Sequence, residues 1–494
     1  MKLHPILPAL GLIIALALPA QAVYVNPQGT GQVLLFPYYS VNGSQSTLIS
    51  VVNTKSTAKI ARIRFREGYN ARQVVDLNLV LGPNDTWTAT VFALQQADGA
   101  TILTRDGSCT SPDKPSWTAP FPGGGYQQLF FPFAYDAHNT DSGPTAITRT
   151  REGYVEVIEM AELGGALAAA ASGPQPLNCM PFQQMGSLSA DLLPPGGGLQ
   201  GNFAIVDVAD GTLFGGAATA IEDFSLLSLF NDFGTPPTLA VAVSRGGEVD
   251  ATIPSDGGYT TLTYSTADFP AFGGPNAISA LLMADSVFGA MSREAGVGSH
   301  TEWVLTSPTK LFYTDDQLLG VALGGPGARA PFEKTFGEGG VAGSCVSYRV
   351  SGFDREGRAV DFATDPGPAG ALPQHALCYA TNVVHFSNLP DDGATPLLGS
   401  RLGSKVWNPT PATETANVRL QLGVRSGSAG RNILPAGLRG PALRGLPVIG
   451  FEAVRYINGN VSPGLLANYT MATPLRADVA CVDAAGVAID CPSQ

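Results

Sequence analysis

The most distinctive spacing in the sequence is a row of three arginines at alternate positions. Arg62, Arg64 and Arg66 alternate with small or apolar residues across 58–67. Because successive side chains of a strand point to opposite faces, this pattern predicts three guanidiniums on one face of a strand. Such a row would bind a carboxylate-bearing glycan or an acidic protein patch. The alternative is that the row pairs with Asp76 and its neighbours across the hairpin and blunts edge-to-edge aggregation.

A second candidate for ligand contact is Trp117. It lies in a polar, proline-rich stretch from 95 to 148 that contains Gly123-Gly124-Gly125. Long ordered loops often carry function, and an exposed aromatic ring offers a flat apolar surface. We predict that Trp117 is exposed and contacts a ligand, whereas Trp87 and Trp303 lie within predicted strands and belong to the core.

Oxygen-bearing side chains cluster between 136 and 143. Asp136, Asn139 and Asp141 could supply the oxygen ligands that calcium requires. The rest of an EF-hand loop is absent, and the alternative interpretation is an Asn/Asp/Gly turn. We therefore predict no metal site and keep these three residues as the calcium candidate.

The sequence offers no catalytic motif. It contains no G-x-S-x-G elbow, and its histidines have no zinc-site spacing. Glu156 and Glu159 are three positions apart, so on a strand they point to opposite faces and cannot act together. We predict no catalytic residue and no cofactor, although a site assembled from distant loops would leave no local signature.

Six cysteines follow the first 22 residues. An even number in an exported chain indicates disulfides, and the absence of C-x-x-C argues against metal binding. The simplest pairing is local, namely Cys109–Cys179, Cys345–Cys378 and Cys481–Cys491.

Residues 1–22 have the pattern of a secretory signal peptide. Lys2 precedes an apolar stretch from Ile6 to Leu18, and Ala20-Gln21-Ala22 is a small-x-small cleavage site. No later apolar run reaches the roughly 18 residues of a spanning helix. We expect a secreted protein, extracellular or at the cell surface, with the periplasm as another destination.

The composition narrows the class of partner. Lys and Arg number 28 against 40 Asp and Glu, a net charge of −12, which argues against nucleic acid as a partner. Gly (59) and Pro (38) are too few for a disordered chain and suit a protein of many turns.

Short alternating runs punctuated by turns predict strands along the whole chain. The fold class is therefore all-β, with two immunoglobulin-like antiparallel β-sandwich domains, long loop insertions and little helix. The N-terminal domain spans 23–235 and carries a disulfide-pinned insertion; the C-terminal domain spans 236–494 and has a disulfide-stapled tail. Within them, 217–230 is predicted as a short helix and Ala277–Met283 as a strand.

Several segments resemble a family of exported proteobacterial proteins of unknown function, named only as cell-surface or secreted proteins. The segments are Gly31–Tyr39, Leu48–Thr54, Glu152–Glu159, Thr301–Lys310 and Gly445–Phe451. The resemblance implies that the protein is exported and functions outside the cytoplasm. It implies no activity and no site residues. The first sandwich also loosely resembles immunoglobulin-type domains of extracytoplasmic bacterial proteins, an analogy of fold alone.

The sequence thus favours an exported non-enzymatic protein that acts by binding or assembly, with an unknown protein or glycan at the cell surface as partner. The alternative is a secreted hydrolase of polysaccharide or ester substrates, with catalytic residues assembled from loops. A third hypothesis is a surface filament subunit, for which Val33–Tyr39 would supply an exposed edge strand.

Overall fold

The computed structural model describes residues 22–94, 98–121, 123–173, 177–184, 186, 189–230, 237–242, 247–255, 257–266, 273–318, 327–362, 375–387, 393–407, 413–424, 430–462 and 465–492. The predicted signal peptide lies outside these residues, apart from Ala22.

Strands dominate the structure. Those of the first half are β1 Val23–Val25, β2 Thr30–Gly31, β3 Val33–Ser40, β4 Gln45–Asn53, β5 Ala58–Glu67, β6 Gln73–Leu81, β7 Thr86–Ala93, β8 Ala100–Thr104, β9 Thr110–Ser111, β10 Ala119–Pro120, β11 Tyr126–Leu129, β12 Glu152–Leu163, β13 Leu192–Leu193, β14 Leu199–Asp207, β15 Thr212–Ala217, β16 Thr219–Glu222, β17 Glu248–Ser255 and β18 Gly258–Ser265.

The remaining strands follow in the second half. They are β19 Met283–Ala284, β20 Ser286–Ser292, β21 His300–Thr306, β22 Val346–Ser347, β23 Arg349–Asp354, β24 Ala376–Leu377, β25 Thr381–Ser387, β26 Gly403–Trp407, β27 Thr415–Gln421, β28 Ile433–Leu434, β29 Ala442–Arg444, β30 Leu446–Pro447, β31 Ile449–Ser462, β32 Leu465–Pro474, β33 Arg476–Asp478, β34 Ala480–Val482 and β35 Ala488–Ile489.

Helices are short and few among the described residues. The α-helices are α1 Gly165–Ala171, α2 Met180–Gln183, α3 Gly273–Leu282 and α4 Leu311–Thr314. Single 3-10 turns span Lys114–Ser116, Ala137–Asn139, Ile147–Arg151, Leu239–Val241, Ala295–Val297 and Glu338–Gly340. The prediction of an all-β fold is confirmed.

Two large sheets pack face to face in the first half. The central sheet has ten strands in the order β18-β17-β1-β16-β3-β12-β5-β6-β9, with β13 on β12; the outer sheet has eight in the order β10-β11-β8-β7-β4-β14-β15, with β2 on β14. Phe36 and Ile63 of the central sheet share one hydrophobic core with Trp87 and Phe203 of the outer sheet. Strands β8, β10 and β11 belong to the outer sheet, so the proline-rich stretch from 95 to 148, predicted as a loop insertion, extends that sheet instead.

The alternation predicted for β5 is present, but its polar face is buried. Arg62, Arg64 and Arg66 are 3%, 1% and 5% exposed. Arg62 and Arg64 pair with Asp76 of β6, and Arg66 Nε lies 2.8 Å from Glu156 of β12. The prediction of an exposed ligand-binding row is therefore wrong, because these guanidiniums are enclosed and neutralised internally. The pairing with Asp76 that the alternative interpretation expected is present.

The central sheet continues across the domain boundary predicted between 235 and 236. Strand β1 pairs with β16 on one side and, in parallel, with β17 on the other. A hydrophobic core also spans this predicted boundary, since Val33 and Ile158 pack in the same cluster as Trp303 and Leu420. The two-domain division and the immunoglobulin-like count stay predictions.

A second pair of sheets forms most of the second half. The five-stranded sheet has the order β26-β25-β21-β31-β32, and the four-stranded sheet the order β23-β27-β20-β33. Trp303 and Val384 of the five-stranded sheet pack with Val418 of the four-stranded sheet. Val304 and Phe451, on the opposite face of the five-stranded sheet, join the core of the first half.

All three local disulfides are present. The bonds are Cys109–Cys179, Cys345–Cys378 and Cys481–Cys491. This confirms the pairing predicted from spacing. No helix in the described part of the chain is long and apolar enough to cross a membrane.

Three predictions of local structure are wrong. Ala277–Met283 lies mainly in helix α3, since a short and mostly apolar run does not distinguish a buried strand from a buried helix. Pro275 sits in the first turn of this helix, where proline is well tolerated. Residues 219–222, within the predicted helix 217–230, form strand β16. Strand β3 is not an exposed edge, because it lies between β16 and β12 with every residue buried.

Candidate functional site

A cleft of about 620 Å³ opens where segments from both halves of the chain meet. Its walls come from the turn at Asn42 and Gly43, the segment 144–152, and the loop 394–401. We call it the arginine cleft because its lining includes Arg149, Arg151 and Arg401.

Glu152, the first residue of β12, forms the floor of the arginine cleft. The Tyr38 and Ser400 hydroxyls donate to its Oε2 at 2.7 and 2.6 Å, and the Arg401 amide donates to Oε1 at 2.8 Å. Burial raises the pKa of the Glu152 carboxyl, against the opposing effect of these hydrogen bonds. Both oxygens are thus engaged in attaching the 394–401 loop to the central sheet.

Arg149 is committed to a buried ion-pair network behind the cleft. Its side chain is fully buried, and its guanidinium makes two hydrogen bonds to Glu67 and two to Asp141. The ring centroid of Tyr135 lies 4.2 Å from its Cζ. Because two carboxylates already neutralise it, Arg149 supports the cleft wall and leaves no charge for a ligand.

Arg151 and Arg401 differ from Arg149 in having no carboxylate partner in the described part of the chain. Arg151 is half-buried and donates from Nη2 to the Val41 carbonyl at 2.8 Å. Arg401 is exposed, and only its backbone bonds Glu152. A guanidinium without a counter-charge is the group that best binds a carboxylate or phosphate.

Tyr69 lines the cleft together with these arginines and packs against Tyr379. Their rings meet edge to face with centroids 4.9 Å apart. Burial, followed by the charges of Glu152 and Glu67, raises the pKa of Tyr69 to about 12. The Tyr69 hydroxyl therefore stays protonated at neutral pH and can donate a hydrogen bond into the cleft that it lines.

Lys310 braces Tyr379 from the interior. Its Nζ donates to the carbonyls of Ser344, Leu377 and Tyr379 at 2.7, 3.3 and 3.1 Å. These three residues flank the Cys345–Cys378 disulfide, so the lysine and the disulfide hold the same wall. Burial lowers the pKa of Lys310 to about 7.

The arginine cleft has the chemistry of a binding site. Its lining combines two guanidiniums without counter-charges and a phenol, which together suit an anionic ligand. Glu152 is the one carboxylate in the lining, and both of its oxygens are occupied. The paired carboxylates of a glycosidase are therefore not present among the lining residues.

The remaining candidates from the sequence do not gather at this cleft. Trp117 is 7% exposed, packs in the first-half core and donates from Nε1 to the Pro112 carbonyl at 3.2 Å. The prediction that its ring is exposed is wrong, because the stretch around it folds onto the outer sheet.

The calcium candidate is contradicted by the charges around it. Arg149 and Arg72 both lie within ion-pair distance of the Asp141 carboxylate. Burial opposes ionisation, but Arg149 and Asn70 hold the pKa of Asp141 below its usual value. Asn139 uses its amide on the Phe133 carbonyl, and no metal-binding cluster that includes Asp136 occurs among the described residues. A cation would be repelled by the two guanidiniums.

Tyr69, Arg151, Glu152 and Arg401 were not predicted from the sequence as site residues. One signal was available: the charged run Arg149-Thr150-Arg151-Glu152 precedes a strong strand in a chain with few charges. The approach of Arg401 is a long-range contact that no local pattern encodes.

Comparison of the chain with protein-family models, curated proteins and solved structures gives no significant match.

Proposed function

We propose that this chain is an exported, non-enzymatic binding protein of the cell envelope or the extracellular space, and that the arginine cleft holds a carboxylate-bearing glycan. The observation that carries the proposal is the pair Arg151 and Arg401, which line one cleft without a carboxylate partner among the described residues. The predicted signal peptide, the three disulfides and the resemblance to exported proteins support the location.

A glycan fits the remaining walls. Gly43 and Gly399 line the cleft without side chains that would obstruct a ligand. Tyr69 offers an aromatic ring and a hydroxyl. Amphipathic groups of this kind complement the alternating hydroxyls and C–H faces of a sugar, while the guanidiniums bind its carboxylate.

Calorimetric titration with trigalacturonate tests the proposal. Arg151→Ala and Arg401→Ala are each expected to weaken binding about tenfold or more, and the remaining affinity to fall as salt is added. Arg358→Ala removes an exposed guanidinium outside the cleft and is expected to change nothing. Absence of trigalacturonate binding, or equal binding by all three variants, would overturn the proposal.

A further inference from the structure

Two phenylalanine rings form an exposed stack at the start of a tight turn. The ring centroids of Phe131 and Phe133 are 5.0 Å apart and their planes meet at 19°. Phe133 is 69% exposed, more than Phe353 at 56%, whose ring is also at the surface. An apolar ring in water forgoes the free energy of burial, so a ligand that covers it gains affinity.

Hydrogen bonds to buried parts of the protein fix the backbone of this turn, residues 131–139. The Phe131 amide donates to the Val74 carbonyl at 2.9 Å, which attaches the turn to β6. Arg72 is buried and donates from Nη1 to the Ala134 carbonyl at 2.6 Å and to the Asn139 carbonyl. The Asn139 side chain closes the turn on the Phe133 carbonyl at 2.7 Å. Since the backbone is fixed in advance, a ligand pays little ordering entropy on binding.

The turn that carries the exposed ring also carries two polar side chains. Asp136 and His138 belong to the same turn, at the 3-10 turn Ala137–Asn139 and its N-cap. Neither side chain makes a hydrogen bond or ion pair with any residue that the structure describes. They are therefore available to a ligand that carries hydroxyl groups.

We propose that this turn is a saccharide-binding site, in which Phe133 stacks on the C–H face of a pyranose ring while Asp136 and His138 bind its hydroxyls. The negative face of an aromatic ring attracts weakly positive C–H groups, and a carboxylate and an imidazole together accept and donate hydrogen bonds. The Phe131 ring beneath Phe133 keeps the platform flat.

The size of the apolar surface favours a sugar over a protein partner. A stable protein interface covers about 800 Å² on each partner and excludes charged groups from its centre. Here the apolar surface is one stacked pair, and the same turn carries a carboxylate. The inference does not depend on the arginine cleft, because none of the turn residues lines that cleft.

The test uses the full mature chain labelled with 4-fluorophenylalanine, with the Phe133 resonance assigned by Phe133→Leu. The probes are cellohexaose and maltohexaose, which are neutral and so do not report on the arginine cleft. We expect at least one of them to shift the Phe133 fluorine resonance saturably. Calorimetry is expected to show about tenfold weaker binding for Phe133→Ala, and weaker binding for Asp136→Asn, with Phe353→Ala unchanged.

Three outcomes would overturn the inference. They are no shift of the Phe133 resonance with either hexasaccharide, equal loss in Phe133→Ala and Phe353→Ala, or a shift that depends on protein concentration alone, which would identify a self-association surface. Since Phe133 is exposed, Phe133→Ala is expected to keep the unfolding midpoint of the parent, and Asp136→Asn provides a second test that leaves the ring in place.

Discussion

Arg149 and Glu67 are 82 positions apart in the sequence, yet their side chains meet in two hydrogen bonds of 2.8 and 3.0 Å with both fully buried. Asp141 holds the same guanidinium from the other side at 2.6 and 2.7 Å. The end of β5, the 3-10 turn before β12 and the 136–143 segment are joined through this one side chain. The wall of the arginine cleft depends on it.

Breaking this pair should destabilise the fold strongly. Glu67→Gln leaves a buried guanidinium with one counter-charge fewer, and the expected loss of unfolding free energy is about 3–5 kcal/mol. Urea denaturation followed by tryptophan fluorescence measures it. Glu356→Gln, which alters an exposed pair with Arg358, serves as control and should leave the denaturation midpoint in place. A loss below about 1 kcal/mol for Glu67→Gln would contradict a structural role for the pair.

The stabilising contribution of the Asp141 carboxylate should be lost in acid. Its pKa in the folded state lies below the usual value because Arg149 and Asn70 offset the effect of burial. A carboxyl with a lowered folded pKa contributes stability above its unfolded pKa, near 3.9, and loses it as the pH falls through the folded value. The difference in unfolding free energy between the parent and Asp141→Asn should therefore be largest at neutral pH and shrink below about pH 4. A difference that does not vary with pH would rule this out.

Lys310 should add a pH dependence of the same sign in the neutral to alkaline range. Burial lowers its pKa to about 7, so between that value and its unfolded pKa the unfolded chain binds more protons. Stability should consequently rise with pH across this window, and the rise should disappear in Lys310→Met. Lys55→Met, at an exposed position, is the matched control. Parallel profiles for the parent and Lys310→Met between about pH 7 and 9 would show that the ammonium is not desolvated.

Glu152 should control the mobility of the 394–401 loop. Glu152→Ala removes the acceptor of the Ser400 hydroxyl and the Arg401 amide. Hydrogen exchange measured by mass spectrometry should then show faster deuterium uptake in peptides that cover 398–402. Glu356→Ala, in an exposed turn, should leave these peptides unchanged. Equal uptake in the parent and Glu152→Ala would mean that the carboxylate does not anchor the loop.

Local patterns were sufficient for much of the fold. The period-two alternation of β5 and β6 correctly assigns which residues share the face that packs in the first-half core, because successive side chains of a strand point to opposite faces. Cysteine spacing gives all three disulfides, since each joins positions near in sequence. The alternation does not determine whether the polar face of a strand is exposed to solvent or buried. Arg62, Arg64 and Arg66 are polar and yet buried, because Asp76 and Glu156 neutralise them.

The candidate site was not predictable for a related reason. Arg151 and Arg401 come from segments 250 positions apart, and their approach depends on how the five-stranded sheet docks on the first-half core. Helix α3 shows the same limit within one element, because a short and mostly apolar run lacks a clear helical or strand period.

The most direct measurement is a crystal structure of the protein with trigalacturonate. We predict a sugar carboxylate in the arginine cleft, within hydrogen-bonding distance of Arg151 or Arg401. Trigalacturonate bound away from both guanidiniums, or a cleft that stays filled with water at saturating ligand, would contradict it.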